Sequence, residues 1–214
     1  MTRPMKIDFV SDVSCPWCII GLKGLETALE RVGDLVAADI RFQPFELNPA
    51  MPAGGQDLAE HIEEKYGSTP EEFAASSRMI RERAAAVGFD ITSRRSRIYN
   101  TFNAHRLLHW AGLEGRQQEL KHALFSAYFT RGEDPGDTDV LVTAALEAGL
   151  DSEVAKAVLA SDRYGDDVRA AEREWQAKGI TSVPAVIVDD RYLISGGQPP
   201  EAFEQALRTI AAEG

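Results

Sequence analysis

The chain has 214 residues, of which 44% are hydrophobic and 27% charged, as is ordinary for a soluble globular protein. Its formal net charge of −11 disfavours nucleic acid and anionic membranes as partners, because like charges repel. No run approaches the roughly 18 apolar residues of a membrane helix, and no signal-peptide stretch follows Met1 to Lys6. We therefore expect a cytoplasmic protein that binds neither nucleic acid nor membranes.

The first part of the chain predicts a strand, a helix and a second strand. Residues 6–11 form a short run of β-forming apolar residues, and residues 37–45 form another. Between them, apolar side chains recur at spacings of three and four from Pro16 to the helix-stopping Gly33. Residues 48–55, with two prolines and two glycines, are the best candidate for a linker into the next region.

The middle of the chain has the periodicity and end signals of helices. Thr69 to Glu72 combine a capping box with a proline at the first helical position. The expected helices cover residues 69–87, 99–111, 116–130, 137–149 and 154–159. We predict that this block, residues 53–160, is all helical and contains no strand.

The strand pattern returns in the last quarter of the chain. A helix over residues 164–178 is followed by strands at 185–188 and 192–194, joined by a turn, and by a helix over 200–211. The order is βαβ, a helical block, then αββα, in an α/β protein. We expect one discontinuous domain, residues 1–52 and 161–214, interrupted by an inserted helical domain, residues 53–160.

The two cysteines of the chain form the motif Cys15-Pro16-Trp17-Cys18 at the first strand-to-helix junction. A disulfide across three positions closes almost no loop, so it has little value as a structural crosslink. A zinc site would need two further ligands, and the four histidines all lie in the helical block. Redox chemistry is therefore the favoured interpretation, with no metal; two incidental buried cysteines are the remaining alternative.

The position of the motif gives the two sulfurs different roles. A thiolate is the attacking species, and the unpaired N–H groups at a helix N-terminus stabilise it. Pro16 suits the first helical position, which makes Cys15 the N-cap residue and predicts an exposed, attacking sulfur. Cys18 lies one turn further along and is expected to be the buried, resolving cysteine.

Val183-Pro184 lies immediately before the strand at 185–188. A proline at the start of a strand is tolerated only at an edge or an end, and an X-Pro bond is where a cis peptide can occur. The pair alone favours an ordinary trans proline at the start of a strand. Only its combination with the dithiol and the element order makes it a candidate site feature.

The dithiol, the Val-Pro pair and the element order together resemble the thioredoxin fold, and the helical insertion is similar to that of DsbA-like oxidoreductases. The resemblance implies a cis Pro184 beside the dithiol and a Val183 backbone that pairs with substrate. It also places His105 near the dithiol, where it would tune the pKa of the thiols; a packed or hydrogen-bonded histidine is the alternative. Trp17, within the motif, is expected to lie exposed or half-exposed beside the sulfur and to shape substrate contact, with simple packing as the alternative.

Two further segments, Phe42 to Pro49 and Asn100 to Arg106, resemble the FrnE-like branch of this family. A sister group is similar to kappa-class glutathione transferases and 2-hydroxychromene-2-carboxylate isomerases, whose active position is usually serine. That likeness suggests glutathione as a co-substrate, although no bound cofactor is expected because the dithiol itself is the redox group.

Three functions follow as hypotheses. The first is a thiol–disulfide oxidoreductase that acts on a protein or small-molecule disulfide, with Cys15 as nucleophile and Cys18 as resolving residue. The second is a glutathione-dependent isomerase or transferase that uses the same pocket. The third is a non-enzymatic scaffold in a biosynthetic assembly. The sequence does not determine the substrate, the direction of the redox reaction, the potential or the oligomeric state.

Overall fold

The computed structural model describes residues 2–213. Its central sheet has four strands, in the order β2-β1-β5-β6. Their bounds are β1 Arg3–Ser11, β2 Val36–Pro44, β5 Ala185–Val188 and β6 Tyr192–Ser195. Strand β1 is parallel to β2 and antiparallel to β5, which pairs in turn with β6. The sheet is mixed, as a thioredoxin fold requires, and β2 is an edge strand.

Helices cover both faces of this sheet because the strand residues alternate. Phe9 and Val186 point into a core with helices α1 (Pro16–Arg31) and α9 (Pro200–Glu213). Val10 points the other way, toward Trp175 of helix α8 (Gly165–Ala177). The parallel β1-α1-β2 unit thus places the start of α1, and with it the dithiol, at the carboxyl end of β1.

The inserted region contains most of the remaining helices. Their bounds are α2 Leu58–Tyr66, α3 Pro70–Ala86, α4 Phe102–Leu113, α5 Gln117–Phe125, α6 Thr138–Glu147 and α7 Ser152–Leu159, followed by α8 Gly165–Ala177. Helices α4 to α7 share a second apolar core. Among residues 2–213, no helix is long and apolar enough to cross a membrane.

The prediction of a strand-free insertion is wrong. Strands β3 (Gln56–Asp57) and β4 (Arg97–Ile98) form a two-stranded antiparallel sheet inside it. Each strand has only two residues, too few for an alternating pattern to appear in the sequence. The close approach depends on Gly55, where a Cβ atom would lie 2.3 Å from the Ile98 carbonyl oxygen.

Two predicted helices also differ in extent. Residues 97–98 belong to β4, and the helix expected over residues 99–111 begins only after that strand, at Phe102. The helix expected over residues 116–130 is α only to Phe125, and Ser126–Arg131 continues it as a π-helical turn. A π-helical turn of six residues is too short for the apolar pattern to distinguish it from a continued α-helix.

Candidate active site

The dithiol lies where β1 passes into α1. Cys15 is the N-cap residue of the helix, with φ −88° and ψ 115°, and Pro16 takes the first helical position. The N–H of Cys18 donates to the Cys15 carbonyl oxygen at 3.1 Å, which folds the two residues toward each other. Cys15 occupies the position where serine or aspartate commonly caps a helix, and its side chain makes no capping hydrogen bond.

Both cysteines carry free thiols and both are buried. Cys18 is completely inaccessible, as expected for the second cysteine of the motif, but Cys15 is only 4% exposed. The expectation of an exposed Cys15 sulfur is therefore wrong. The segment that carries Val183 and Pro184 accounts for part of the cover, since Cys15 Sγ lies 3.8 Å from the Val183 carbonyl oxygen.

The two thiols have different acidities. A hydrogen bond from the Cys18 thiol lowers the pKa of Cys15, and the N–H groups of Cys18 and Trp17 add to this against the effect of burial. Burial raises the pKa of Cys18 well above its usual value, and the Cys15 sulfur raises it further. The pair is therefore arranged so that Cys15 ionises first.

The Val183–Pro184 peptide bond is cis. The Pro184 carbonyl oxygen accepts a hydrogen bond from the Gly196 N–H at 2.8 Å, which ties this segment to the turn that follows β6. On α1, a Cβ atom at Gly21 would meet Pro184 Cγ at 3.2 Å and Gly197 Cα at 3.1 Å. The absence of side chains at Gly21 and Gly197 allows both loops to lie directly on the helix that carries the dithiol.

Trp17 is half-buried between the cysteines and that turn. A Cβ atom at Gly197 would lie 2.7 Å from the Trp17 carbonyl oxygen and 3.2 Å from its ring atom Cε3. The indole thus packs on a glycine backbone beside the motif. Its position agrees with the expected half-exposed aromatic.

The His105 side chain contacts Asp12, which lies in the turn that leads into the dithiol. Its Nε2 lies 3.5 Å from Asp12 Oδ1, and both side chains are buried. The other Asp12 oxygen accepts from the Leu47 N–H at 2.7 Å. Burial alone would raise the pKa of Asp12, but the interactions with His105 and Leu47 outweigh it and hold the pKa below its usual value.

Sequence reasoning missed two buried polar residues behind the dithiol, Asp12 and Lys121. Asp12 lies in the turn between β1 and α1. Lys121 is completely buried in α5, with Nζ 5.0 Å from the centroid of the Phe125 ring. A signal was available, because Lys121 stands four residues before Phe125 and one residue after Leu120, on the apolar stripe of its helix.

The structure thus brings six of the seven predicted residues into one site, and it connects the seventh, His105, to that site through Asp12. Within residues 2–213, no three histidine, cysteine, aspartate or glutamate side chains are grouped as a metal ion would require. The site combines a Cys15 thiol of lowered pKa with the buried Cys18 thiol one helical turn away. The Val183 carbonyl oxygen lies beside Cys15 Sγ.

Comparison with known proteins places this site in a family. The model of the DSBA-like thioredoxin domain matches residues 6–208. The chain belongs to this family. Because the match covers nearly the whole chain, it includes both halves of the sheet and the helical insertion between them.

Three relatives illustrate the range of similarity. The uncharacterized protein YwbO of Bacillus subtilis is 27% identical over 209 residues, covering 97% of this chain and 96% of YwbO. The probable DsbA oxidoreductase SCO1869 of Streptomyces coelicolor is 36% identical, with a TM-score of 0.91 over 98% of this chain and 91% of that one. The cytosolic disulfide reductase DsbM of Pseudomonas aeruginosa shares the fold at 18% identity, with a TM-score of 0.69 over 98% and 100% of the two chains.

A second structure of DsbM was determined with GSH. At 18% identity this neighbour shows a shared fold only. The family match and the likeness to SCO1869 give this chain a DsbA-like thiol oxidoreductase fold, and its role is that of an oxidoreductase or an isomerase.

Proposed function

We propose that the protein is a thiol–disulfide oxidoreductase in which Cys15 is the nucleophile and Cys18 the resolving residue. The unequal acidity of the two thiols carries this proposal. The pKa of Cys15 is lowered by the Cys18 thiol and by N–H groups at the helix start, whereas burial raises the pKa of Cys18. A dithiol that served only to fill the core would need no such difference.

The reaction proceeds in two exchanges. The Cys15 thiolate attacks one sulfur of a substrate disulfide, which forms a mixed disulfide and releases the other sulfur as a thiolate. Cys18 then loses its proton and attacks the Cys15 sulfur. The Cys15–Cys18 disulfide forms, and the second substrate sulfur leaves as a thiolate. Run in reverse, the same steps oxidise a substrate dithiol.

The surroundings of Cys15 indicate how a substrate would be held. The Val183 carbonyl oxygen already lies 3.8 Å from Cys15 Sγ, so an extended peptide that pairs with the Val183 backbone would place its own sulfur beside Cys15. Protein disulfides and low-mass disulfides such as oxidised glutathione both meet this requirement. Glutathione as a co-substrate draws support from the GSH-bound structure of DsbM.

Reduction of insulin disulfides by dithiothreitol tests the proposal. The wild-type protein should accelerate the reaction, Cys15→Ser should abolish the acceleration, and Cys18→Ser should accumulate mixed disulfides that mass spectrometry detects. Thiol labelling at a series of defined potentials should reveal a reversible Cys15–Cys18 couple. A wild-type protein that shows neither catalysis nor such a couple would contradict the proposal and leave the isomerase and scaffold hypotheses.

A further inference from the structure

Residues 78–97 form a basic stretch in an acidic protein. They include six arginines and only two acidic residues, whereas the whole chain has a net charge of −11. The stretch runs from the middle of helix α3 through the loop that leads to strand β4. The dithiol site uses none of these arginines, so their concentration here needs a separate explanation.

Three of the arginines, Arg78, Arg81 and Arg95, line one cavity of about 380 Å³. This volume lies at the lower end of the roughly 300–1,000 Å³ that small-molecule sites occupy. No residue of the cavity lining is acidic, and none belongs to the dithiol site. The salt bridges that arginines form among residues 2–213 do not include these three, so no carboxylate of that part of the chain neutralises them.

The cavity also has an apolar wall. Phe73 and Ile80 stand seven residues apart on α3, so the same face of the helix presents both of them together with Arg81. The buried side chains of Leu58 and Ile91 complete the wall. A ligand that fills the cavity therefore needs an apolar part beside its charged group.

Aromatic rings hold Arg95 in place. Its guanidinium carbon lies 5.0 Å from the centroid of the Tyr128 ring and 5.1 Å from that of Phe129. The Nε atom of Arg95 is buried, and it has no hydrogen-bond partner among residues 2–213. A buried donor without an acceptor is destabilising, and an acceptor oxygen from a ligand in the cavity would remove that cost.

The loop that carries Arg95 is fixed to the π-helical turn Ser126–Arg131, which contains both rings. The N–H of Thr92 donates to the Phe129 carbonyl oxygen at 3.0 Å, and its hydroxyl donates to the Thr130 carbonyl oxygen at 2.8 Å. Turns of this kind occur frequently at functional sites. Arg95 is therefore positioned before any ligand arrives, which lowers the entropic cost of binding.

The chemistry of the lining selects an anion with several acceptor oxygens. Guanidinium groups bind phosphate oxygens through paired N–H donors, and three of them match a doubly charged group better than a single carboxylate. The hydroxyls of Ser77 and Ser93 add donors to the same cavity. We propose that this cavity binds a small phosphate monoester that carries an apolar group. The phosphate contacts the arginines, and the apolar group lies against Phe73 and Ile91.

An NMR titration of the full chain with phenyl phosphate, observing the backbone amides and the arginine Nε–H groups, tests the proposal. The Arg95 Nε–H and the amides of residues 91–95 should shift with saturation, whereas those of Cys15 and Cys18 should not. Inorganic phosphate, which lacks the apolar group, should bind at least about tenfold more weakly. Phenol, which lacks the phosphate, should produce no saturable shift at these residues.

Arg95→Gln should weaken the binding of phenyl phosphate by at least about tenfold, as expected for the loss of a charged hydrogen bond. Arg191→Gln is the matched control and should leave the affinity unchanged. Arg191 also lies over a tyrosine ring, 4.9 Å from the centroid of Tyr192, but it does not line the cavity.

Modification of wild-type arginines by phenylglyoxal is an independent measurement should Arg95→Gln fold poorly. Phenyl phosphate should slow the modification of Arg81 and Arg95, but not that of Arg191, as followed by peptide mass spectrometry. The proposal is overturned if phenyl phosphate leaves all three rates unchanged, if its shifts do not saturate, or if Arg95→Gln binds it as wild type does. Equal affinities for phenyl phosphate and inorganic phosphate overturn the assignment of an apolar ligand group.

Discussion

The carboxylate of Asp12 and the imidazole of His105 meet behind the dithiol, with Asp12 Oδ1 3.5 Å from His105 Nε2. Asp12 belongs to the turn that leads into the dithiol, and His105 to helix α4 of the insertion. The side chains are 1% and 2% exposed, so water does not compensate either of them. This contact joins the helical insertion electrostatically to the turn that positions Cys15.

Removal of the imidazole should destabilise the protein in a pH-dependent way. We expect His105→Ala to lower the free energy of unfolding in urea by about 3 kcal/mol at neutral pH, because it leaves Asp12 buried without this partner. The pKa of Asp12 is depressed in the folded protein. Its stabilising contribution is therefore present above the unfolded value of 3.8 and is lost as the pH falls through the folded value.

The loss caused by His105→Ala should accordingly shrink at acid pH, where Asp12 becomes protonated in the variant. His105→Gln is the matched control, since its amide can still donate to Asp12, and it should lose less than half as much. An equal loss for both variants, unchanged between neutral and acid pH, would show that packing and not charge explains the effect.

The reactivity of Cys15 should depend on Cys18 even when no disulfide forms. The largest cause of the lowered Cys15 pKa is the hydrogen bond from the Cys18 thiol, so Cys18→Ala should raise the midpoint of the pH profile for alkylation by iodoacetamide. Alkylation near neutral pH should slow severalfold, because the thiolate is the reacting form. Peptide mass spectrometry measures the rate at Cys15 directly.

Asp12→Asn should shift the pH profile of Cys15 alkylation in the opposite direction. The Asp12 charge raises the pKa of Cys15, so its removal should shift the alkylation midpoint to lower pH. Shifts in the same direction for Cys18→Ala and Asp12→Asn would be inconsistent with this electrostatic arrangement.

The close packing around Trp17 should make Gly197 intolerant of any side chain. A Cβ atom there would lie 2.7 Å from the Trp17 carbonyl oxygen, a backbone atom that cannot rotate away. We expect Gly197→Ala to lower the free energy of unfolding by about 1–3 kcal/mol, as overpacking commonly does. Gly54→Ala, where a Cβ atom would meet nothing within 4 Å, should change it by less than about 0.5 kcal/mol.

A loss for Gly54→Ala comparable to that for Gly197→Ala would contradict this explanation. Chemical denaturation at one pH is sufficient for the comparison. If the packing of Trp17 also shields Cys15, Gly197→Ala should in addition increase the rate of Cys15 alkylation relative to wild type.

Much of the site could be predicted from the sequence because it depends on local chemistry. A cysteine pair three positions apart, with a proline at the first helical position after a strand, defines its own place in the fold. The element order around it predicted the βαβ and αββα halves and the four-stranded sheet. Helical periodicity predicted the helices, and short β-forming runs bounded by turn residues predicted the strands, although β1 and β5 are buried on both faces.

Other features were decided by long-range contacts that no local pattern encodes. The two-residue strands β3 and β4 exist only because residues 56–57 and 97–98 meet in space. Part of the cover on Cys15 comes from the distant Val183 segment, whose carbonyl oxygen lies 3.8 Å from Cys15 Sγ.

The dithiol was thus determined by the sequence, but its electrostatic setting was determined by the tertiary structure. Asp12, His105 and Lys121 come from three separate parts of the chain, and nothing in their local sequence shows that the fold removes all three from water. Their effect depends on removal from water, because burial is what turns an ordinary lysine into one whose pKa falls to about 8. Burial is a property of the assembled fold, since it requires the insertion to close over the sheet that carries the dithiol.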